Sequence, residues 1–372
     1  MGHASSSPDL VSVPRYLREG RLNLLVVFLP IALGLRFAGG GEVAVFVASL
    51  LAILPLAGLI GHATDEVARY VGPGIGGFLN ATFGNATELI IVLLALNRGL
   101  VEVVKASISG SILGNLLLVL GLAMLIGGWG RLKQEFDRTH AGASAGMLFL
   151  TVCALVMPDV YARSVGSAEG QDSPAVMQLS VLVAVVMLIV YAGSLVFSLR
   201  THSELLSGVG HADAEPPRLS RNAGIVLLAG ATVLTAVAAE TLVGSIEAAG
   251  KQLGLTEFFI GIVVVAVIGN AAEHFAAVWL ARANKMDLAV TIAISSGTQI
   301  ALLVAPVAVL ASVALGHPMP LVFNNFELVA IVLAVIAISI VTLDGESNWF
   351  EGLQLLVIYA VMAIVFFYAP VL

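Results

Sequence analysis

Residues 76–90 read Gly-Gly-Phe-Leu-Asn-Ala-Thr-Phe-Gly-Asn-Ala-Thr-Glu-Leu-Ile, an apolar stretch carrying one carboxylate, Glu88. The phrase Gly84-Asn85-Ala86-Thr87-Glu88 returns 185 residues later as Gly269-Asn270-Ala271-Ala272-Glu273. Both copies lie in apolar runs long enough to cross a bilayer. A charged side chain at that depth costs roughly 2.5–3.5 kcal/mol on insertion scales, so it needs a compensating role. Two such carboxylates in matching contexts imply one binding site assembled from two related halves, and they point to ion transport.

The rest of the composition places these phrases in a membrane. Hydrophobic residues make up 59% of the 372 and charged residues 11%, less than half the share of an ordinary soluble protein. The mean hydropathy is +1.02. The single cysteine, Cys153, excludes disulfide frameworks and Cys-based metal sites. Nothing in the charge pattern suggests a nucleic-acid partner; the expected surroundings are a lipid bilayer. Met1-Gly2 with Ser6 fits a myristoylation pattern, which adds little to a polytopic chain. The apolar run after Arg21 lacks a small-x-small cleavage site and reads as a retained helix.

Apolar segments of spanning length fall at about 22–38, 42–64, 74–97, 104–128, 141–158, 175–199, 221–246, 256–281, 287–315, 325–343 and 350–370. The expected fold is therefore an all-α integral membrane protein of eleven transmembrane helices. A polar linker at 201–220, with His202, Glu204, His211, Asp213 and Glu215, separates two parts. With eleven spans, twelve of the seventeen Lys and Arg fall on the N-terminal side. That bias puts the N-terminus in the cytoplasm and the C-terminus outside. Asp65 and Glu66, at the cytoplasmic end of the second span, read as solvated.

A shift of 185 also aligns Gly76 with Gly261 and Ala81 with Ala266, and a shift of 184 aligns Ser111 with Ser295 and Asn115 with Gln299. Residues 42–200 and 221–372 then form two five-helix units, with residues 1–41 contributing a cytoplasmic N-terminus and one extra helix. An odd number of helices per unit makes the second enter the membrane from the other side. Such inverted repeats place transporter sites near the midplane, at the repeat interface.

On each helix the small residues, the Asn and the Glu share one face: Ala81, Gly84, Asn85 and Glu88, then Ala266, Gly269, Asn270 and Glu273. Gly84 and Gly269 permit close approach or local unwinding. Glu88, Glu273, Asn85 and Asn270 make an all-oxygen donor set, to which Ser111, Asn115, Ser295 and Gln299 can add. Hard cations such as Ca2+ prefer oxygen ligands with carboxylates balancing their charge, whereas transition metals recruit Cys or several His, and only His274 lies in a phrase. Two carboxylates in a poorly hydrated cavity do not both stay ionised without a cation. Protons and cation are therefore expected to compete for them. Glu240, opposite Pro55 in the repeat, breaks the symmetry and reads as an auxiliary intramembrane acid. No Gly-x-Ser-x-Gly motif or intramembrane Asp pair supports hydrolysis, so the chain is not read as an enzyme.

These residues resemble the Ca2+/H+ (cation/proton) exchangers of the CaCA superfamily. The resemblance runs from about residue 42 to the C-terminus. It is carried by residues 76–90 and Gly269–His274, and supported by Ser109-Gly110-Ser111-Ile112-Leu113-Gly114-Asn115 and Thr298-Gln299-Ile300-Ala301-Leu302. It implies secondary active exchange of Ca2+ for H+ by alternating access, with Glu88 and Glu273 as the central cation and proton sites. Asn85, Asn270, Ser111, Ser295 and Gln299 would be neighbouring polar groups and Glu240 an auxiliary acid. Ca2+ is then a transported substrate, and no cofactor is expected. The implied location is a prokaryotic inner membrane. Ile294-Ser295-Ser296-Gly297 departs from the family's usual Gly-Ser-Ser order, and the linker is short and mildly acidic for a Ca2+ sensor. Na+- or K+-coupled exchange and a passive cation channel remain the rival readings, and homo-oligomerisation is left open.

Overall fold

Apolar runs with few charges fold as helices in lipid because every backbone N–H and C=O must be paired within the segment. The computed structural model describes residues 12–169, 173–201 and 216–369. The Met1-Gly2 pattern and the linker residues His202, Glu204, His211, Asp213 and Glu215 lie outside the described residues. In chain order the helices are α1 (Val13–Glu19), α2 (Leu22–Ala38), α3 (Glu42–Val71), α4 (Pro73–Phe83), α5 (Ala86–Asn97) and α6 (Val101–Gly128). Next come α7 (Arg138–Glu169), α8 (Pro174–Thr201), α9 (Arg221–Leu253), α10 (Glu257–Gly269) and α11 (Ala271–Arg282). Last are α12 (Met286–Ala314), α13 (Asn325–Val341) and α14 (Trp349–Tyr368).

Seven of these are long and apolar enough to cross a membrane, or nine spans if α4–α5 and α10–α11 each count as one bent span. The shorter apolar helices α2 and α13 complete the set. Every expected apolar segment is helical. The fifth was expected to stop at Pro158, but α7 continues through it to Glu169. A proline inside a packed intramembrane helix is tolerated where neighbours re-satisfy the freed carbonyl, and α3 likewise runs through Pro55. Capping boxes start α13 (Asn324 with Glu327) and α14 (Asn348 with Glu351).

Contacts between turns gather them at two ends of the bundle. At the end from which residues 201 and 216 emerge, Arg131 donates to the Arg282 carbonyl and Asp287 accepts the Asp137 N–H. Two short strands, β1 (Gln134–Glu135) and β2 (Glu346–Ser347), pair antiparallel there and clasp distant loops together. Lys133 bridges Glu135 and Glu346 beside this clasp, and those hydrogen bonds push its ammonium pKa above the ordinary lysine range. At the opposite end the bidentate pair Asp159–Arg163 holds Phe323 by its N–H and carbonyl.

α3 packs most extensively on α9, and α2 lies against both. Glu66, expected to be solvated, is instead buried at the end of α3. Its carboxylate accepts the N–H groups of Arg218 and Leu219 and pairs with Arg69, so it anchors the chain just after the linker. Burying a carboxylate is tolerable because these donors compensate its lost hydration. Asp65 beside it is exposed, as expected.

Candidate cation site

Both repeated phrases fall at a helix break. The axes of α4 and α5 differ by 42°, and those of α10 and α11 by 58°. Asn85 (φ −97°, ψ 14°) and Asn270 (φ −94°, ψ 7°) stand at the two bends in nearly the same backbone conformation, the bridge region that helices rarely use. Each Asn folds its Nδ2 back onto the carbonyl four residues earlier, Ala81 at 3.2 Å and Ala266 at 3.0 Å. A short amide side chain thereby covers an acceptor that the bend exposes. Three residues on, Glu88 and Glu273 sit in the first turns of α5 and α11, where free N–H groups favour negative charge.

The two carboxylates cross. Glu88 Oε1 lies against Gly269, 3.3 Å from where a Cβ would stand, and Glu273 Oε1 lies against Gly84 at 3.7 Å. Each acid thus rests over the glycine of the other phrase; a Cβ at Gly269 would crowd Glu88, whereas one at Gly84 would be in ordinary contact with Glu273. Two carboxylates brought together in a poorly hydrated setting repel one another when both are charged.

Amides surround them unequally. Asn270 donates to Ser111 Oγ at 2.9 Å, and Asn115 donates to Asn270 Oδ1 at 3.3 Å and to Ser296 Oγ at 3.0 Å. On the other side Asn85 makes one interhelical bond, to Gln299 Oε1 at 2.6 Å. Asn115 lies in a π-helical turn of α6 (Gly114–Val119), and Gln299 immediately precedes one in α12 (Ile300–Val304). Such turns recur at functional sites because they rotate the side chains that follow.

Four buried oxygens here find no hydrogen-bond donor among the described residues: Glu88 Oε2, Glu273 Oε2, Asn85 Oδ1 and Asn115 Oδ1. An unsatisfied buried acceptor costs about 1–3 kcal/mol, so four together ask for a cation or protons. Among the described residues no group of three His, Cys, Asp or Glu converges. The cluster is therefore two carboxylates with amide and hydroxyl oxygens, a hard-cation set.

The structure brings together Glu88, Glu273, Asn85, Asn270, Gly84, Gly269, Ser111, Asn115 and Gln299. Ser295 stands apart from the interhelical network, because its hydroxyl donates to the Thr291 and Ile292 carbonyls of its own helix. Its neighbour Ser296 bonds Asn115 instead, and a shift of 185 rather than 184 would have matched it to Ser111. His274 is half-buried beside Glu273, and its Nε2 has no hydrogen-bond partner among the described residues. Glu240 lies away from the cluster. Its carboxylate pairs with Arg98 at the opposite end, and Arg36 reaches its carbonyl. A cavity of about 610 Å³ reaches Glu273 between α4, α7, α8 and α12, lined by Asn80, His140, Tyr191, Thr291 and Ser295 among others. Those residues belong to the halves of their helices nearest the linker end.

The family model described as sodium/calcium exchanger protein matches residues 41–200 and 223–368. A Ca(2+)/H(+) antiporter of Synechocystis sp. is 44% identical over 365 residues, covering 94% of this chain and 97% of that one. The Ca(2+)/H(+) antiporter ChaA of Bacillus subtilis is 43% identical over 326 residues, covering 87% and 91%. Among solved structures, native YfkE superposes with a TM-score of 0.81 at 38% identity, covering 94% of this chain and all of that one. The H+/Ca2+ exchanger CAX has the same fold, with a TM-score of 0.68 at 15% identity.

Proposed function

The chain belongs to the sodium/calcium exchanger protein family, and from that premise we propose that it exchanges Ca2+ for protons across a membrane at a site formed by Glu88 and Glu273. The observation that carries this reading is the crossed pair of buried carboxylates, each seated over the other phrase's glycine with one oxygen unsatisfied. A divalent cation between them is matched in charge by two carboxylates, with Asn85 Oδ1 and Asn115 Oδ1 as neutral ligands. When the cation leaves, repulsion and lost hydration favour uptake of protons by the same oxygens. Cation and protons then exclude one another, which is the requirement for antiport.

The architecture proposed with it is eleven spans, counting each bent pair once and both shorter helices. Spans two to six (42–200) and seven to eleven (221–372) form two inverted five-helix repeats, and α2 is extra. Matching bends at Asn85 and Asn270, and π-helical turns beside Asn115 and Gln299, support the pairing of the halves. The proposed orientation places the N-terminus and the linker end in the cytoplasm, so the cavity reaching Glu273 approaches from that side.

The test uses purified protein in liposomes with an imposed pH gradient. Glu88→Gln and Glu273→Gln each reduce proton-driven Ca2+ uptake to the level of protein-free liposomes. Wild-type uptake in either variant would refute the site. Imposed Na+ or K+ gradients that drive Ca2+ as well as a proton gradient would move the reading to the rival couplings.

A further inference from the structure

We propose that a recess between the ends of α6 and α11, at the linker end, binds the phosphate of an anionic phospholipid from the adjoining leaflet. The proposal does not depend on the cation reading above. The recess has a volume of about 650 Å³ and is lined by Leu125, Ile126, Trp129, Gly130, Arg131 and Arg282. These residues are layered along the membrane normal. Leu125 and Ile126 lie in the last turns of α6, about one turn deeper in the bundle than Trp129, which follows the helix. Arg131 in the turn and Arg282, the last residue of α11, bring two guanidinium groups to the linker-end side. The recess is thus apolar towards the membrane interior and cationic towards water.

Tryptophan fixes the depth. The chain has three, and all stand at this end: Trp129 after α6, Trp279 in the last turn of α11 and Trp349 at the start of α14. Trp129 and Trp279 are 72% and 73% exposed, and Trp129 meets Trp349 edge to face. Exposed tryptophan in a membrane protein gathers where acyl chains give way to headgroups. The guanidinium groups beside Trp129 therefore lie at phosphate depth, and Leu125 and Ile126 lie where acyl chains begin.

The charge in the recess is uncommitted. Arg131 donates to the Gly127 carbonyl and, at 3.1 Å, to the Arg282 carbonyl, so it ties the two helix ends together and keeps most of its N–H donors unused. No described residue accepts from the Arg282 guanidinium, and neither arginine pairs with a carboxylate among the described residues. Acids do stand near these turns, but each is engaged elsewhere. Glu135 and Glu346 pair with Lys133, and Glu351 caps α14. Asp137, Asp287 and Asp344 accept the backbone N–H groups of His140, Asp137 and Glu346. None of them lines the recess. A phosphodiester suits the two arginines, because its free oxygens match the guanidinium fork and its charge is held at a fixed depth. A zwitterionic lipid brings a cation beside its phosphate, which the arginines repel, so the anionic class is favoured. Bound there, the phosphate braces the end of α6, the helix of Asn115, against the end of α11, the helix of Glu273.

The test follows tryptophan fluorescence of the full chain in phosphatidylcholine nanodiscs, with Trp279→Phe and Trp349→Phe leaving Trp129 as reporter. Brominated phosphatidylglycerol quenches Trp129 at a lower mole fraction than brominated phosphatidylcholine does. Arg282→Gln raises the half-quenching fraction roughly five-fold, the effect of one basic residue beside an anionic headgroup. Lys285→Gln, an equal loss of charge outside the recess, leaves it nearly unchanged. Equal quenching by the two lipids would overturn the proposal, as would equal effects of Arg282→Gln and Lys285→Gln, which would mean diffuse surface charge. Relief of quenching by inorganic phosphate would also overturn it, because the occupant would then be a soluble anion. Should the tryptophan replacements prevent folding, native mass spectrometry of the otherwise unaltered chain counts retained phosphatidylglycerol. Greater retention by the wild type than by Arg282→Gln supports the site, and equal retention refutes it.

Discussion

Where α6 passes α10, backbone meets backbone, whereas their counterparts at a shift of 184–185, α12 and α4, stand apart around a cavity. At the first place a Cβ on Gly110 would overlap the Ile262 carbonyl, and one on Gly261 would lie 2.8 Å from the Val103 carbonyl. At the second, Gly76 packs onto the Ala68 carbonyl of α3, and Ser295, the residue corresponding to Gly110 at a shift of 185, lines the cavity. Two related sequence units thus hold unlike contacts at the two ends of the bundle. The two copies of the phrase meet in one cluster, while the helices beside it are packed backbone to backbone on one side and open onto a cavity on the other.

The largest effect should come from breaking the closed contact. Gly110→Ala forces backbone against backbone, costing about 1–3 kcal/mol by overpacking, and should abolish exchange. Gly77→Ala meets only the flexible end of Leu199 and should keep most of it. Melting temperature in detergent and Ca2+ flux check both. The next effect sharpens the comparison by access. With Cys153→Ala as background, Ser295→Cys should react with a membrane-impermeant thiol reagent from the linker side on the order of tenfold faster than Ser107→Cys, because buried groups react only through rare opening. Equal labelling would show both paths equally closed.

Smaller differences test the amide shell. Asn270 bonds both Ser111 and Asn115 across helices, while Asn85 bonds Gln299 alone. Asn270→Ala should therefore destabilise by about 1–3 kcal/mol and Asn85→Ala by about 1, measured by thermal unfolding. Asn85→Ala should weaken Ca2+ binding in calorimetry, because Asn85 Oδ1 has no donor among the described residues to satisfy it. The smallest effect is expected at Arg98–Glu240, whose side chains are 32% and 45% exposed. Arg98→Ala should change stability by no more than ~1 kcal/mol.

Much of this was legible beforehand. Apolar length located the long helices, though not α1, and the repeated Gly-Asn-x-x-Glu phrase pointed to the two carboxylates that the fold brings together. The bends at Asn85 and Asn270 follow from the same residues. Ser296 was missed because the offset beyond the first phrase was taken as 184, which pairs Ser111 with Ser295; the phrase's own offset of 185 pairs Ser111 with Ser296. Glu66 looked solvated because its partners, Arg218 and Leu219, return from 152 and 153 residues away. Glu240 read as an auxiliary acid of the site because hydropathy cannot reveal that Arg98 pairs with it.

The small clasp of Gln134–Glu135 with Glu346–Ser347 has a mechanical meaning. It ties the α6–α7 turn to the α13–α14 turn at the linker end, while near the opposite end Asp159 and Arg163 of α7 grip Phe323 just before α13. α7 and α13 are thereby fastened to one another near both ends, a braced ladder rather than a hinge.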